Sequence, residues 1–420
     1  MKGILISIIF FVFALSNYLI VNNQEQKEPL AKLWNIENDE IPKYLNIEKN
    51  LSNVDEILKP LLDDDNFGGT YIDVLQNTIF INTLNFTKAE QVKNLTQISQ
   101  YINLLNFSSA LNSTARLNYG FQEIKTFAKF YVPTSLTVYI DAKVNNIVIA
   151  LCDEDRNETQ TASFINRAEI YNPNFNYYIC DKADNNTSSL NNIKLESREI
   201  YEEILAGDGL NYRLSNNKPK ICSAGFWAQI ATFSYIATAG HCYVKGAYYL
   251  SPWNSTRFSK IIIGQMLTHY LNIMDFGLVF INYKNVTPVP SIRNTDSIQY
   301  QELPIEDHIV VSSNGAHLCI SAFQSHVKCG YVKALSGFTD ALNGDGLFEN
   351  IFIVSINSLG GDSGAPVFSY KQDLLHTSLN GIVSSGYDYD INGDINNAIT
   401  EVMPIDFIIR VTGIKVVTAN

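Results

Sequence analysis

Beyond about residue 204 the chain is a succession of short Val-, Ile-, Tyr- and Phe-rich runs broken by Gly, Asn and Pro, with one helical pattern, at the C-terminus. Such spacing predicts a mainly β fold, an antiparallel barrel or sandwich. Upstream the pattern changes. From about Gln24 to Asn118 charged and leucine-rich segments alternate, with helical spacing over Ile47–Leu62 and again over Ala89–Leu105. A hairpin is predicted next: an apolar run at Leu136–Ile140, a polar turn through Asp141–Asn146 and a second apolar run at Ile147–Leu151. The polar stretch Asp181–Asn192 reads as a loop open to nicking.

Length and composition narrow the setting. The 420 residues, 46% of them hydrophobic, suffice for two or three domains with sizeable cores. A formal charge of −12 argues against a nucleic-acid partner, which would want a clustered basic face. Lys2, the apolar run Gly3–Leu15 and then Ser16-Asn17 have the layout of a secretory signal peptide over residues 1–16, with an uncleaved anchor as the other reading. No later segment is long and apolar enough to cross a membrane, so the mature chain is expected to be soluble, extracellular and monomeric. In that oxidising compartment the six cysteines, Cys152, Cys180, Cys222, Cys242, Cys319 and Cys329, are expected in disulfides rather than at a metal, for which no Cys-x-x-Cys spacing exists. Adjacency alone pairs Cys152 with Cys180. Sequons such as Asn85, Asn157, Asn185, Asn186, Asn254 and Asn285 fit a glycoprotein.

The chemistry gathers around Asn357–Phe368, where Gly361-Asp362-Ser363-Gly364 sets a serine on a glycine-flanked turn before an apolar run. The hydroxyl can stand exposed there, and the amides of Gly361 and Ser363 can face one point, as a nucleophile with an oxyanion hole requires. A serine needs a general base, and the base an orienting acid. Of six histidines, His241 ends an apolar strand pattern, Ser234–Ala239, in a small-residue turn next to Cys242. Asp275 opens the strongly apolar run Phe276–Ile281, where a lone buried carboxylate would be costly without a partner. Asp296 and Asp307 are the alternative acids.

Thr238-Ala239-Gly240-His241-Cys242, Asp275 with its apolar strand, and Gly361-Asp362-Ser363-Gly364, in that order, resemble the three catalytic motifs of chymotrypsin-like serine proteases. Cys222–Phe226, the Cys319/Cys329 spacing, Gly381–Gly386 and the closing Val402–Val417 resemble the alpha-lytic protease and streptogrisin group. The resemblance covers roughly residues 204–420. It implies a double six-stranded antiparallel β-barrel with a C-terminal helix and the triad in the cleft between barrels. It further implies disulfides 222–242 and 319–329, peptide-bond hydrolysis without a cofactor, His241, Asp275 and Ser363 as catalytic residues, and Ser384, Ser385 and Gly386 on the substrate-binding strand. The hairpin at 136–151 resembles the folding-assisting α+β propeptide of that group, so residues 17–203 are expected to be a propeptide and a partner of the protease domain, with the boundary near Glu203/Ile204.

Three features depart from the group. Ala365 stands where a second glycine usually follows the serine, Ile320 where an arginine usually pairs with the aspartate beside it, and no third disulfide is available near the serine. An ammonium freed by cleavage near Ile204 or Leu205 is one candidate partner for Asp362. The rival class is a secreted binding glycoprotein that keeps the fold without turnover. Asp388–Asp394 imitates the start of a calcium loop, but Ile399 occupies the position of the bidentate acid, and a solvated acidic loop is the better reading.

Overall fold

The computed structural model describes residues 26–180, 202–213, 219–253, 260–341 and 346–419. The expected signal peptide, the 181–192 loop and the sequons at Asn185, Asn186 and Asn254 lie outside these residues. The period-2 runs become two closed barrels. In the first, Gly209–Arg213, Pro219–Ile230, Phe233–Thr238, Phe276–Ile281, Ile262–Tyr270 and Ala247–Ser251 follow one another around an antiparallel ring. Pro219–Ser223 and Trp227–Ile230 act as one bent strand, closed across the bend by Gly225 N–H to Ala237 O (2.8 Å) and Ala237 N–H to Phe226 O (2.9 Å). Closure leaves no unpaired edge to cover.

The second ring runs His317–Ala322, His326–Asp340, Leu347–Val354, Ile399–Pro404, Thr377–Tyr387 and Pro366–Tyr370, again antiparallel throughout. This is the double six-stranded barrel of the chymotrypsin-like fold. Each barrel fills with the inward residues of its strands, Leu210, Ile236 and Val279 in the first, Leu318, Val367 and Val402 in the second. The helix Ile405–Thr412 ends at Gly413 in the left-handed conformation (φ 67°), and the chain then returns Lys415–Val416 to Ala228 and Gln229 of the first barrel. All three expected disulfides form: 152–180, 222–242 and 319–329.

The N-terminal residues build two α+β layers. The helix Ile41–Leu58 buries Ile41, Leu45, Leu51, Val54 and Leu58 beside the sheet of Phe67–Asp73, Thr78–Thr83 and Leu105–Ser109. The expected helix at 89–105 is not continuous. Phe86–Lys93 is helical, but the Asn94 side chain bonds back to Glu90 O (2.8 Å), Leu95 turns extended, and the chain ends in the strand Leu105–Ser109. The predicted hairpin is present as Leu136–Asp141 and Asn146–Cys152. It joins Asn174–Tyr178 in a sheet covered by the helices Thr114–Tyr131 and Thr159–Ala168, and Thr137–Tyr139 pairs directly with Gly337–Thr339 of the second barrel.

Candidate active site

The strand Phe233–Thr238 delivers His241 through a single turn at Gly240–Cys242, tied to Cys222 by its disulfide. A side chain at Gly240 would lie 2.2 Å from Tyr270 O and 2.9 Å from the Phe276 backbone, so only glycine lets this turn press against the chain that carries Asp275. The fully buried Asp275 accepts the His241 amide (Oδ1, 2.9 Å), the ring nitrogen Nδ1 (Oδ2, 2.7 Å) and the Ser384 hydroxyl (Oδ2, 2.8 Å). With a carboxylate facing Nδ1, the neutral ring carries its proton there and leaves Nε2 as a lone-pair acceptor. Burial by itself favours the neutral imidazole, but the charge and hydrogen bond of Asp275 together outweigh it and lift the His241 pKa above its ordinary value. For Asp275 burial pushes upward, while His241 and the hydrogen bonds from its ring, its amide and Ser384 carry the net shift downward. The alternative acids are engaged elsewhere: Asp296 with His326, Asp307 with Lys371.

Ser363 sits on a turn that two glycines make possible, Gly361 at φ 108° and Gly364 at φ 84°. A Cβ on Gly364 would fall 2.1 Å from the Thr238 hydroxyl and 2.7 Å from the Ala239 amide, which places the turn directly against the approach to His241. Ser223, which sequence reasoning missed, pins it: its amide donates to Ser363 O (2.8 Å) and its hydroxyl to Gly361 O (2.9 Å). Among the described residues the amides of Gly361 and Ser363 have no acceptor, and the Ser363 hydroxyl makes no hydrogen bond to His241. Free active sites commonly close the latter contact only around substrate.

Asp362 is fully buried, and it is satisfied without the candidate ammonium that cleavage near Ile204 or Leu205 would free. Its carboxylate accepts the amides of Leu359 (2.8 Å), Gln324 (3.2 Å) and Ser325 (3.1 Å). Ile204 is itself buried in Glu202–Ala206, a strand laid parallel to Val286–Arg293. A cation stands across the hairpin from Ile320, directed at Asn357 rather than at Asp362. Lys328 pairs in register with Ile320 and donates to Asn357 O (3.0 Å) and Oδ1 (3.3 Å). Burial lowers the pKa of Lys328 against the opposing fields of Asp362 and Asp388. Asp388 is pushed up to about 6 by burial and by the charge of Asp362, with Lys328 opposing. No sequence motif marks Lys328; only strand register does.

Ser385 and Gly386 continue from Ser384 beyond the last pairing with Pro366–Tyr370, at Ile382, so one edge of the strand is open beside the serine turn. Gly386 faces Ser358, whose hydroxyl would stand 2.7 Å from a Cβ there. Ala365 is buried without conflict, its amide on Asp362 O (2.9 Å). In the acidic loop Asp390 turns its oxygens onto the amides of Asn392 and Asp394 (both 2.9 Å) and the Asn397 side chain (2.8 Å). The two clusters with metal-like spacing among the described residues, around Cys222–Cys242 and Cys152–Cys180, have their sulfurs committed to disulfides.

No family model and no curated protein matches the chain. Solved structures to which it is similar are chymotrypsin-like proteases. They include Thermobifida fusca protease A (21% identity, TM-score 0.41, covering 52% of this chain and 100% of that one). Cellulomonas bogoriensis chymotrypsin is another (17%, TM-score 0.39, 52% and 100%), as is the alpha-lytic protease homolog N4 (16%, TM-score 0.38, 51% and 98%). The fold itself rests on the strand pairings described above.

Proposed function

We propose that the chain is a secreted serine endopeptidase made as an inactive precursor. The observation that carries the reading is a buried Asp275 fixing His241, beside a serine turn, with Nε2 and the turn's two amides left without a partner among the described residues. In this mechanism Nε2 takes the proton of the Ser363 hydroxyl as its oxygen attacks the scissile carbonyl. The Gly361 and Ser363 amides hold the oxyanion, and the imidazolium returns the proton to the leaving amine. Water, deprotonated by the same nitrogen, then releases the acyl group from Ser363. Ser384 keeps Asp275 in place, and the open edge at Ser385–Gly386 pairs with an extended substrate.

Residues 17–203 are then the propeptide and 204–420 the protease domain. No disulfide joins the two parts, since 152–180 lies in one and 222–242 and 319–329 in the other, so a single cut would leave them held by non-covalent contacts. Among the described residues no helix is long and apolar enough to cross a membrane. Secretion of the full chain and of Ser363→Ala, with N-terminal sequencing and a mixed peptide library, tests the proposal. Cleavage near Ile204 and peptide hydrolysis by wild type alone support it. Equal processing of both without turnover, and no phosphonate adduct on Ser363, favour the binding-protein reading instead.

The pH profile gives a second test. His241 must be neutral to accept a proton, and its pKa is raised above the ordinary 6.5, so activity should rise with pH through a midpoint above that value. A midpoint in kcat/KM below 6.5 would contradict the pairing with Asp275.

A further inference from the structure

Next to the open strand edge, the second barrel sets two carboxylates against the N-terminal region, Glu401 buried and Asp340 half-buried, and among the described residues it supplies a cation to neither. Asp340 accepts the amides of Leu136 (2.7 Å) and Ser135 (3.3 Å). Glu401, 1% exposed, takes the Thr137 hydroxyl on one oxygen, while its other oxygen is buried without a partner. Two uncharged side chains complete the clasp: Tyr387 donates to Ser135 O (2.7 Å) and Thr339 to Leu136 O (2.8 Å). Among the described residues these four make every side-chain hydrogen bond from the barrel to Ser135–Thr137, beside the apolar packing of Phe338 on Leu136. Glu401 also lines a cavity of about 170 Å³ that is bounded by Ser385 and Gly386 on one side and by Ser135 and the Cys152–Cys180 disulfide on the other.

We propose that Asp340 and Glu401 form a proton-linked latch, which holds the N-terminal region on the second barrel in acid and loosens as the pH rises toward neutrality. The inference rests on the reading of that region as a detachable propeptide. Every titratable group facing Glu401 acts in the same direction or not at all. On the adjoining strand Tyr387 and Ser385 are uncharged, the strand His326–Asp340 contributes Thr339 and a second acid, and the hairpin contributes Thr137. Tyr178 lies against Tyr387 (4.7 Å), and Asp155 adds a further negative charge near Asp340. Glu349, on the adjoining strand, is already paired with Lys125 and Lys129. Among the described residues no Lys, Arg or His lies within ion-pair distance of either latch carboxylate.

The sign follows from this burial. Burial first, then the charge of Asp340, raise Glu401 from 4.5 to about 7 in the docked state, against the opposing hydrogen bond from Thr137. Burial likewise raises Asp340. Below pH 4.5 Glu401 is neutral docked or free, and docking is at full strength. Between 4.5 and 7 the free barrel loses its proton while the docked one keeps it, and the advantage of docking falls; above 7 the docked carboxylate also ionises and the loss levels off. For a shift of this size the affinity should drop roughly fifty-fold between pH 5 and pH 7.5.

The test uses the full chain in a Ser363→Ala background, with a specific protease site inserted between Cys180 and Glu202 and a tag at the C-terminus. After the cut, retention of the N-terminal piece on the tagged barrels is measured from pH 5 to pH 8. Release should grow with pH as stated; Glu401→Gln, neutral at every pH, should hold the piece at pH 7.5 and leave less than a roughly fivefold pH dependence. Tyr387→Phe should weaken docking at all pH values without altering the slope. Hydrogen exchange of Leu136–Asp141 in the uncut chain gives an independent reading, faster opening at pH 7.5 than at pH 5 relative to the first barrel, and no such change in Glu401→Gln. Identical pH courses for the wild-type latch and Glu401→Gln in both measurements overturn the latch while leaving a detachable region intact. Pieces that stay together at every pH overturn the detachable region and the latch with it.

Discussion

Ser363→Ala should reduce peptide hydrolysis by about a millionfold while leaving secretion, and thermal stability compared in the same processing state, within error of the parent. The hydroxyl makes no side-chain hydrogen bond among the described residues, and the turn is held by its neighbours: Ser223 on the carbonyls of Gly361 and Ser363, and the Gly364 amide on Val383 O (2.8 Å). Removing one oxygen therefore removes chemistry and little structure. Nucleophile and base act as a unit, so His241→Ala should cost about as much, and the double variant no more than either alone. Asp275→Asn should cost about ten-thousandfold, because an amide presented to Nδ1 favours the tautomer with the proton on Nε2, where the base must be free. Steady-state kinetics on one reporter peptide, with Ser384→Ala as the milder fourth member, decide the series. Independent, additive losses would dismantle the proposed assembly.

How much of this arrangement could be read from the residues depends on what kind of contact carries it. His241, Asp275 and Ser363 announce themselves because each ends or opens an apolar run with residue types that have few other uses there, and Gly240, Gly361 and Gly364 mark the tight approaches. Barrel strands were legible from alternation and punctuation. The N-terminal layers were less so: the break at Asn94-Leu95 is decided by one side chain bonding backwards, which helical spacing does not register. The long helices Thr114–Tyr131 and Thr159–Ala168 went unread for a similar reason, since polar residues dilute their apolar faces. Contacts that depend on register or on distant chain segments leave no local trace. Lys328 reaches Asn357 only because it stands opposite Ile320, and Glu401 meets Thr137 across 264 positions of sequence.

Asp362→Ala should damage both stability and catalysis, and the ratio of the two losses tests what that carboxylate does. Its two oxygens satisfy three amides, the buried one of Ser325 and the half-buried ones of Leu359 and Gln324, which belong to the serine turn and to the tip of the Cys319–Cys329 hairpin. Truncation leaves all three donors without an acceptor, and at 1–3 kcal/mol for each unsatisfied group a loss of about 3 kcal/mol is expected after partial relaxation. Removing the negative charge also relieves repulsion on Asp388, whose pKa should fall from about 6. Because Leu359 lies two residues before Gly361, freeing its amide lets the turn choose other conformations, including those in which the Gly361 and Ser363 amides no longer converge. A fall in kcat of about a hundredfold with little change in KM is the signature of a weakened oxyanion site. Asp362→Asn should retain part of the stability, since its carbonyl can still accept two amides, but its NH2 would oppose the Leu359 donor and keep kcat low. Both variants are to be assayed at a temperature where each is fully folded by circular dichroism. A loss of stability with unaltered kcat would mean that Asp362 braces the hairpin alone, and that Ser223 and the two glycines suffice to hold the amides in place.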